Sequence, residues 1–246
     1  MARFSTASNI LNQVAVECGL SPETDPYSST NDAFIQLQYL LNTAGIELVM
    51  YNEWQALIKE YNFTTDTATY PDGEYALPSD YAYMIDQTGW NRSQDVPIGG
   101  PFTAQDWAYA TGRGLNGSTI YASFRVWENL LQFFPEPPQD AQDISFQYMG
   151  RNWIAVTGST DPTKDAVTVG TDVVLFEPIL IQRYLKTKFL DVKGFDTTSS
   201  QADFDQIYKI LTGKDTGARI VNAGNAGRGY PYLDNYRNTP DTNFGS

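Results

Sequence analysis

The chain has 246 residues, of which 41% are hydrophobic and 18% charged, and its 29 Asp and Glu against 16 Lys and Arg give a net charge of −13. That composition allows one sizeable core, while the acidic balance opposes adhesion to a phosphate backbone. A single cysteine, Cys18, excludes an intrachain disulfide or cysteine-built zinc site, and the absence of histidine removes hydrolase triads of the usual form and the commonest metal ligand.

The chain opens on Met1-Ala2-Arg3-Phe4-Ser5-Thr6, which lacks the apolar stretch of a signal peptide. No apolar run approaches the roughly 20 residues of a membrane-spanning helix, so a protein made in the cytosol of its host is expected. Ala7, Leu11, Val14 and Cys18 recur at helical spacing and predict a short helix over residues 6–18, closed by Gly19. After a polar loop, Thr30-Asn31-Asp32 supplies N-cap residues for a second helix running to about Lys59. Its stripe of Phe34, Leu37, Leu41, Ala44, Leu48, Tyr51 and Ile58 fits the core face of a bundle. Phe34, Leu37, Leu41 and Tyr51 are also the candidates for contact with neighbouring subunits.

Beyond Glu60 the period becomes alternating. Phe63, Thr65 and Thr67, then Tyr75 after Tyr70-Pro71-Asp72-Gly73, predict a β-hairpin ending at Leu77-Pro78. From Ser79 to Trp107 the chain mixes aromatic residues with turn formers, which predicts an ordered excursion held by Trp90, Phe102 and Trp107 without regular ladders. Asn116-Gly117 is a type I′ hairpin signal, and residues 129–133 and 144–148 read as strands on either side of Pro135-Glu136-Pro137-Pro138. The expected product is one small, mainly antiparallel sheet. Helical pattern returns after Phe176, with Pro178 at the first position and Ile181, Leu185 and Phe189 on one stripe. A last helix is expected from Ser200, with Asp203 three residues on, to Gly213, filled by Phe204, Ile207, Tyr208 and Leu211.

After Lys214, glycine and asparagine dominate and periodicity disappears, so the stretch cannot by itself offset its ordering entropy. Ile220, Val221, Tyr230, Tyr232, Leu233, Tyr236 and Phe244 are spaced along it like anchors for a partner. The fold class expected is therefore α+β: an α-helical bundle (residues 1–59 and 176–213), an inserted small antiparallel β-sheet domain (60–175) and an extended C-terminal tail (214–246).

Motifs of catalysis are weak. Gly112-Arg113-Gly114-Leu115-Asn116-Gly117 matches a dinucleotide fingerprint literally but leads into a turn and strand rather than a helix. Gly213-Lys214 lacks the rest of a P-loop. Three N-x-S/T triplets, at Asn62, Asn91 and Asn116, matter only in a secretory pathway. A carboxylate pair could run glycoside hydrolysis without histidine, but nothing in the sequence selects one. The expectation is no enzyme, no catalytic residue, no metal and no cofactor.

One set of fragments has an order and spacing of its own. It comprises Trp54-Gln55-Ala56-Leu57, Tyr75-Ala76-Leu77-Pro78-Ser79-Asp80-Tyr81, Thr88-Gly89-Trp90-Asn91-Arg92, Gly99-Gly100-Pro101-Phe102 before Trp107, Phe146-Gln147-Tyr148 before Asn152-Trp153, and Arg183-Tyr184-Leu185-Lys186. From Trp54 to about Gly194 the chain thereby resembles the head-to-tail adaptors of tailed bacteriophages, also called head-completion or upper tail-tube proteins. The resemblance implies a helical bundle with a β-rich insertion, and twelve copies in a ring. It also implies the portal protein bound above, a tail nozzle or tail tube protein below, and genomic DNA passing through the channel without specific binding. The place implied is the head–tail junction of the virion, assembled in the host cytoplasm with no membrane. Ile220, Tyr230, Tyr232, Tyr236 and Phe244 are the expected portal contacts, on a tail richer in glycine than the family pattern. Some adaptors are described as peptidoglycan-cleaving, and no residue here carries that over. Other readings are a different tail-completion or baseplate protein, or a carboxylate-based peptidoglycan hydrolase.

Overall fold

The computed structural model describes residues 3–112, 123–135 and 138–215. A two-residue strand, β1 (Ser5–Thr6), leads into helix α1 (Ala7–Glu17), whose Ala7, Ile10, Leu11, Val14 and Ala15 are buried at three- and four-residue intervals. Gly19, at φ +80°, turns the chain away from the helix end. Helix α2 (Asp32–Tyr51) begins where the Asn31 side chain accepts the Ala33 amide at 3.0 Å. It stops at Tyr51, short of the expected Lys59. Asn52 is extended and Trp54 folds back to donate its indole N–H to the Leu48 carbonyl at 2.6 Å. Ile58 therefore opens a strand, β2 (Ile58–Thr64), instead of completing a helical stripe.

That strand does not form the expected hairpin with its neighbour. Strand β2 pairs over its whole length with β9 (Asp143–Gly150), while β3 (Glu74–Ala76) pairs with β8 (Leu130–Phe134). Gly73 makes the turn at φ +65°, but it sends the chain into a different sheet. The other edge of β9 holds β4 (Tyr81–Met84) and β5 (Trp90–Asn91), followed by β6 (Val96–Pro97). The stretch expected to lack ladders thus supplies three strands. A second sheet runs β3-β8-β7, with β7 (Ser123–Trp127) joined to β8 through Glu128 and Asn129, both at positive φ. Two consecutive residues of that kind make a type I′ turn; the turn expected at Asn116-Gly117 lies outside the described residues. The third sheet places β11 (Val173–Val174) between β1 and β10 (Ile154–Ala155).

Three helices remain. Helix α3 (Ala104–Gly112) packs Trp107 and Ala110 on Phe134 of β8. Helix α4 (Pro178–Val192) has proline in its first turn as expected, and buries Ile181, Leu185 and Phe189. Helix α5 (Thr198–Asp215) starts earlier than Ser200, because the Asp196 carboxylate accepts the Thr198 amide at 2.9 Å, and it runs past Gly213.

The expected helical bundle with one small inserted sheet is therefore corrected. Among the described residues, five helices accompany eleven strands in three antiparallel sheets, and the helices do not close a bundle of their own. Their core is completed by the third sheet and by Trp153, Ile154, Val174, Leu175 and Phe176. Trp153 is wholly buried, stacks on Phe176 and donates its indole N–H to the Asp165 carbonyl at 2.7 Å. Its ring lies so close to Gly45 of α2 that any side chain there would collide with it. A second core lies between the other two sheets, where Ile144, Phe146 and Tyr148 of β9 meet Leu131 and Phe133 of β8 and Tyr75 of β3. The alternation of these positions along β8 and β9 puts them on one face of each strand.

Candidate interaction surfaces

The end of α2 is fastened to α4 and α5 by aromatic and charged side chains. Tyr184 and Lys188, one turn apart on α4, both donate to the Glu47 carboxylate, and the Tyr184 and Tyr51 hydroxyls share a hydrogen bond of 2.9 Å. Tyr208 of α5 donates to the Tyr51 carbonyl at 2.7 Å, and Phe204 stacks on Tyr184. At the far end of α5 the Asp215 carboxylate accepts the Gln55 amide at 2.9 Å. A cleft of ≈ 180 Å³ between Trp54, Phe176 and Leu211 lies beside that contact. Helix α5 is thus held to the body at both ends of this seam, and residues 216–246 continue from a defined point.

The residues expected at interfaces fall into three groups. Phe34, Leu37 and Leu41 are fully buried in the chain's own core, so the expectation that they meet a neighbouring subunit is corrected: their surface is already used within the chain. Tyr51 stays half exposed at the α2–α4–α5 seam. Ile220, Tyr230, Tyr232, Tyr236 and Phe244 lie outside the described residues.

Exposed apolar side chains gather elsewhere. Helix α2 carries Ile35, Tyr39, Ile46 and Met50 on its outer face, the α4–α5 end has Val192 and Phe195, and the β7–β8 tip has Val126 and Trp127. At that tip the Arg125 guanidinium lies 4.2 Å from the Trp107 ring centre and 4.9 Å from that of Trp127, and its Nε donates to Gln132 at 2.7 Å. Helical periodicity marks the buried stripe of α2 and does not by itself single out its outer face. The signal was present, since the helix is apolar on two sides.

The best-buried carboxylates are held by fixed partners. Asp80 accepts from Lys59 at 2.8 Å and from the Tyr148 hydroxyl at 2.9 Å. Asp172 accepts from Lys164 at 2.8 Å and from the Thr168 and Val169 amides. Burial pushes Asp80, Asp172 and Glu47 upward, but these bonds and the lysine charges outweigh it and hold all three below their ordinary values. Glycoside hydrolysis needs one carboxyl raised as a proton donor, and these three are shifted the opposite way. Among the described residues no group of three or more acidic or cysteine side chains is placed to hold a metal ion, and no helix is long and apolar enough to cross a membrane. Gly112, first glycine of the dinucleotide-like motif, ends helix α3 rather than a strand.

No family model matches the chain, and no curated protein is significantly similar to it. The geometry of its surfaces carries the functional reading.

Proposed function

We propose that the chain is a structural head-to-tail adaptor of a tailed bacteriophage, a subunit of the ring that docks under the portal and joins it to the tail nozzle or tube. The observation that carries this reading is the presence of exposed apolar side chains at three places in the fold: the α2 outer face, the α4–α5 end and the β7–β8 tip. A subunit gripped by neighbours beside, above and below it needs contact area on several faces. Aromatic residues and methionine, such as Tyr39, Met50, Phe195 and Trp127, are enriched where such contacts centre.

Two further features support the reading. Of the residues through which the chain resembles adaptors, Trp54, Tyr75, Phe146, Tyr148 and Trp153 are buried framework positions, while Gln55, Arg92 and Pro101 are exposed. The net charge of −13 suits a subunit past which DNA slides without adhering. In this reading twelve copies form the ring at the head–tail junction of the virion. Residues 216–246 run from Asp215 along the portal, through Ile220, Tyr230, Tyr232, Tyr236 and Phe244.

The test is truncation after Asp215. Co-sedimentation with the portal protein should be lost, with the circular dichroism spectrum and Tm of the remaining body unchanged. Undiminished portal binding by the truncated chain would contradict the proposal.

A further inference from the structure

Strand β2 contains neither proline nor glycine, lies at the outside of its sheet and pairs with β9 in an unbroken register. Next to its ends, the Leu57 carbonyl accepts the Gly150 amide and the Thr65 amide donates to the Gln142 carbonyl. In an antiparallel pair such bonds recur at every second residue, so Lys59, Tyr61 and Phe63 exchange theirs with β9. The amides and carbonyls of Ile58, Glu60, Asn62 and Thr64 point the other way, and among the described residues they meet no hydrogen-bond partner. At about 3.4 Å per residue this open edge is roughly 20 Å long.

Other edges of the fold are guarded. The opposite end of the same sheet is β6, two residues that include Pro97, and at β7 the Phe124 amide and carbonyl are bonded to Gly99 and Phe102. Strand β2 has neither device, and its lysine is occupied: Lys59 donates to Asp80 and to the Pro162 carbonyl. Bare backbone groups at ladder spacing define their occupant as another strand. The side chains along the edge specify which strand. On one face Tyr61 and Phe63 are half-buried rings of the second core. On the other, Glu60, Asn62 and Thr64 are exposed, and Thr64 donates to the Asp143 carboxylate at 2.7 Å. Asp66 and Asp140 follow at the far end, where the Asp140 carboxylate accepts the Thr67 amide, and Arg92, 3.7 Å from Glu60, is the counter-charge. We infer that β2 binds an extended segment of another protein, added as a strand in which apolar and basic residues alternate. The apolar set covers Tyr61 and Phe63, and the basic set faces Glu60 and Asp143. The inference does not use portal binding by residues 216–246, and either can fail without the other.

The test is amide exchange by NMR on the full chain, with a seven-residue peptide of alternating lysine and valine, blocked at both ends, as the probe. In the free chain the Glu60 and Asn62 amides should exchange at least about tenfold faster than those of Tyr61 and Phe63, which are bonded to β9. The peptide should slow the fast pair and leave the slow pair as it was. N-methylating one alternate set of the peptide's amides, the lysines or the valines, should abolish this effect, and N-methylating the other should not, because only one set faces β2. Asn62→Pro removes an outward amide and spares the bonds to β9, so it should weaken peptide binding at least about tenfold. Glu60→Lys, an exposed change that leaves the backbone alone, should weaken it several-fold at low salt and less as salt is added. Slow exchange of Glu60 and Asn62 at every dilution of the free chain would show the edge already covered from within, and slowing only at high protein concentration would put a second copy there. Either result, or a peptide that protects neither amide, would overturn the inference.

Discussion

Replacing Gly45 with alanine sets two effects of opposite sign against each other. In a helix interior the change should stabilise by about 1 kcal/mol through propensity. Here a Cβ at position 45 would lie 2.2 to 2.4 Å from three atoms of the Trp153 ring, against the ~3.5–4.0 Å at which carbon atoms rest. The ring cannot step aside cheaply. It is wholly buried, stacked 5.8 Å from Phe176 and tied to the Asp165 carbonyl at 2.7 Å. Overpacking of this kind costs about 1–3 kcal/mol, and moving the indole costs roughly a further 1 kcal/mol for its hydrogen bond. With propensity subtracted, Gly45→Ala should lose about 2–3 kcal/mol at the upper end of the overpacking range. For a chain of this size that corresponds to a fall in Tm of roughly 4–12 °C. Thermal and urea melts followed by circular dichroism read the change. Gly213→Ala is the control, because a Cβ there meets nothing within 4 Å inside α5, and it should leave stability unchanged or slightly raised. A Gly45→Ala protein as stable as the parent would refute the packing argument.

Two further perturbations probe the polar framework. The Asp172 carboxyl is raised by burial but lowered further by Lys164 and the Thr168 and Val169 amides, so it titrates lower folded than unfolded. Its contribution is then complete above the ordinary carboxyl value of about 4 and is lost as pH falls through the lower folded value. Asp172→Asn should cost about 1–3 kcal/mol at neutral pH and flatten the acid limb of a Tm-against-pH curve; an acid limb parallel to the parent's would count against this assignment. Arg125→Lys keeps the charge but loses the planar group between Trp107 and Trp127 and the Nε bond to Gln132. It should therefore lower stability by roughly 1–2 kcal/mol in urea melts, and an unchanged midpoint would show that charge alone suffices.

The helices are legible in the sequence because α1, α2 and α4 repeat buried residues at three- and four-residue intervals, with Asn31 and Pro178 marking two of their starts. Period alone does not reveal the sheets. Strands of two residues, such as β1 and β11, have no alternation to detect and exist through long-range pairing, Ser5 with Val174 and Thr6 with Val173. The turn at Gly73 is readable, yet turn chemistry does not say which strand the chain meets next, and β2 finds β9 rather than β3. Glu128-Asn129 takes a backbone that Asn-Gly would have announced, and Glu gives no such notice. At the candidate surfaces, aromatic content indicates contact area without its address. Leu37 and Ile35 are comparably apolar in the sequence, and only packing sends one inward and the other out.

The most direct test of the adaptor reading is electron microscopy of the full chain mixed with the portal protein encoded alongside it. A closed ring of subunits on one face of the portal, with α2 and the β7–β8 tip turned toward neighbouring components, is the predicted image. Portals left bare at saturating concentrations of the chain would contradict it.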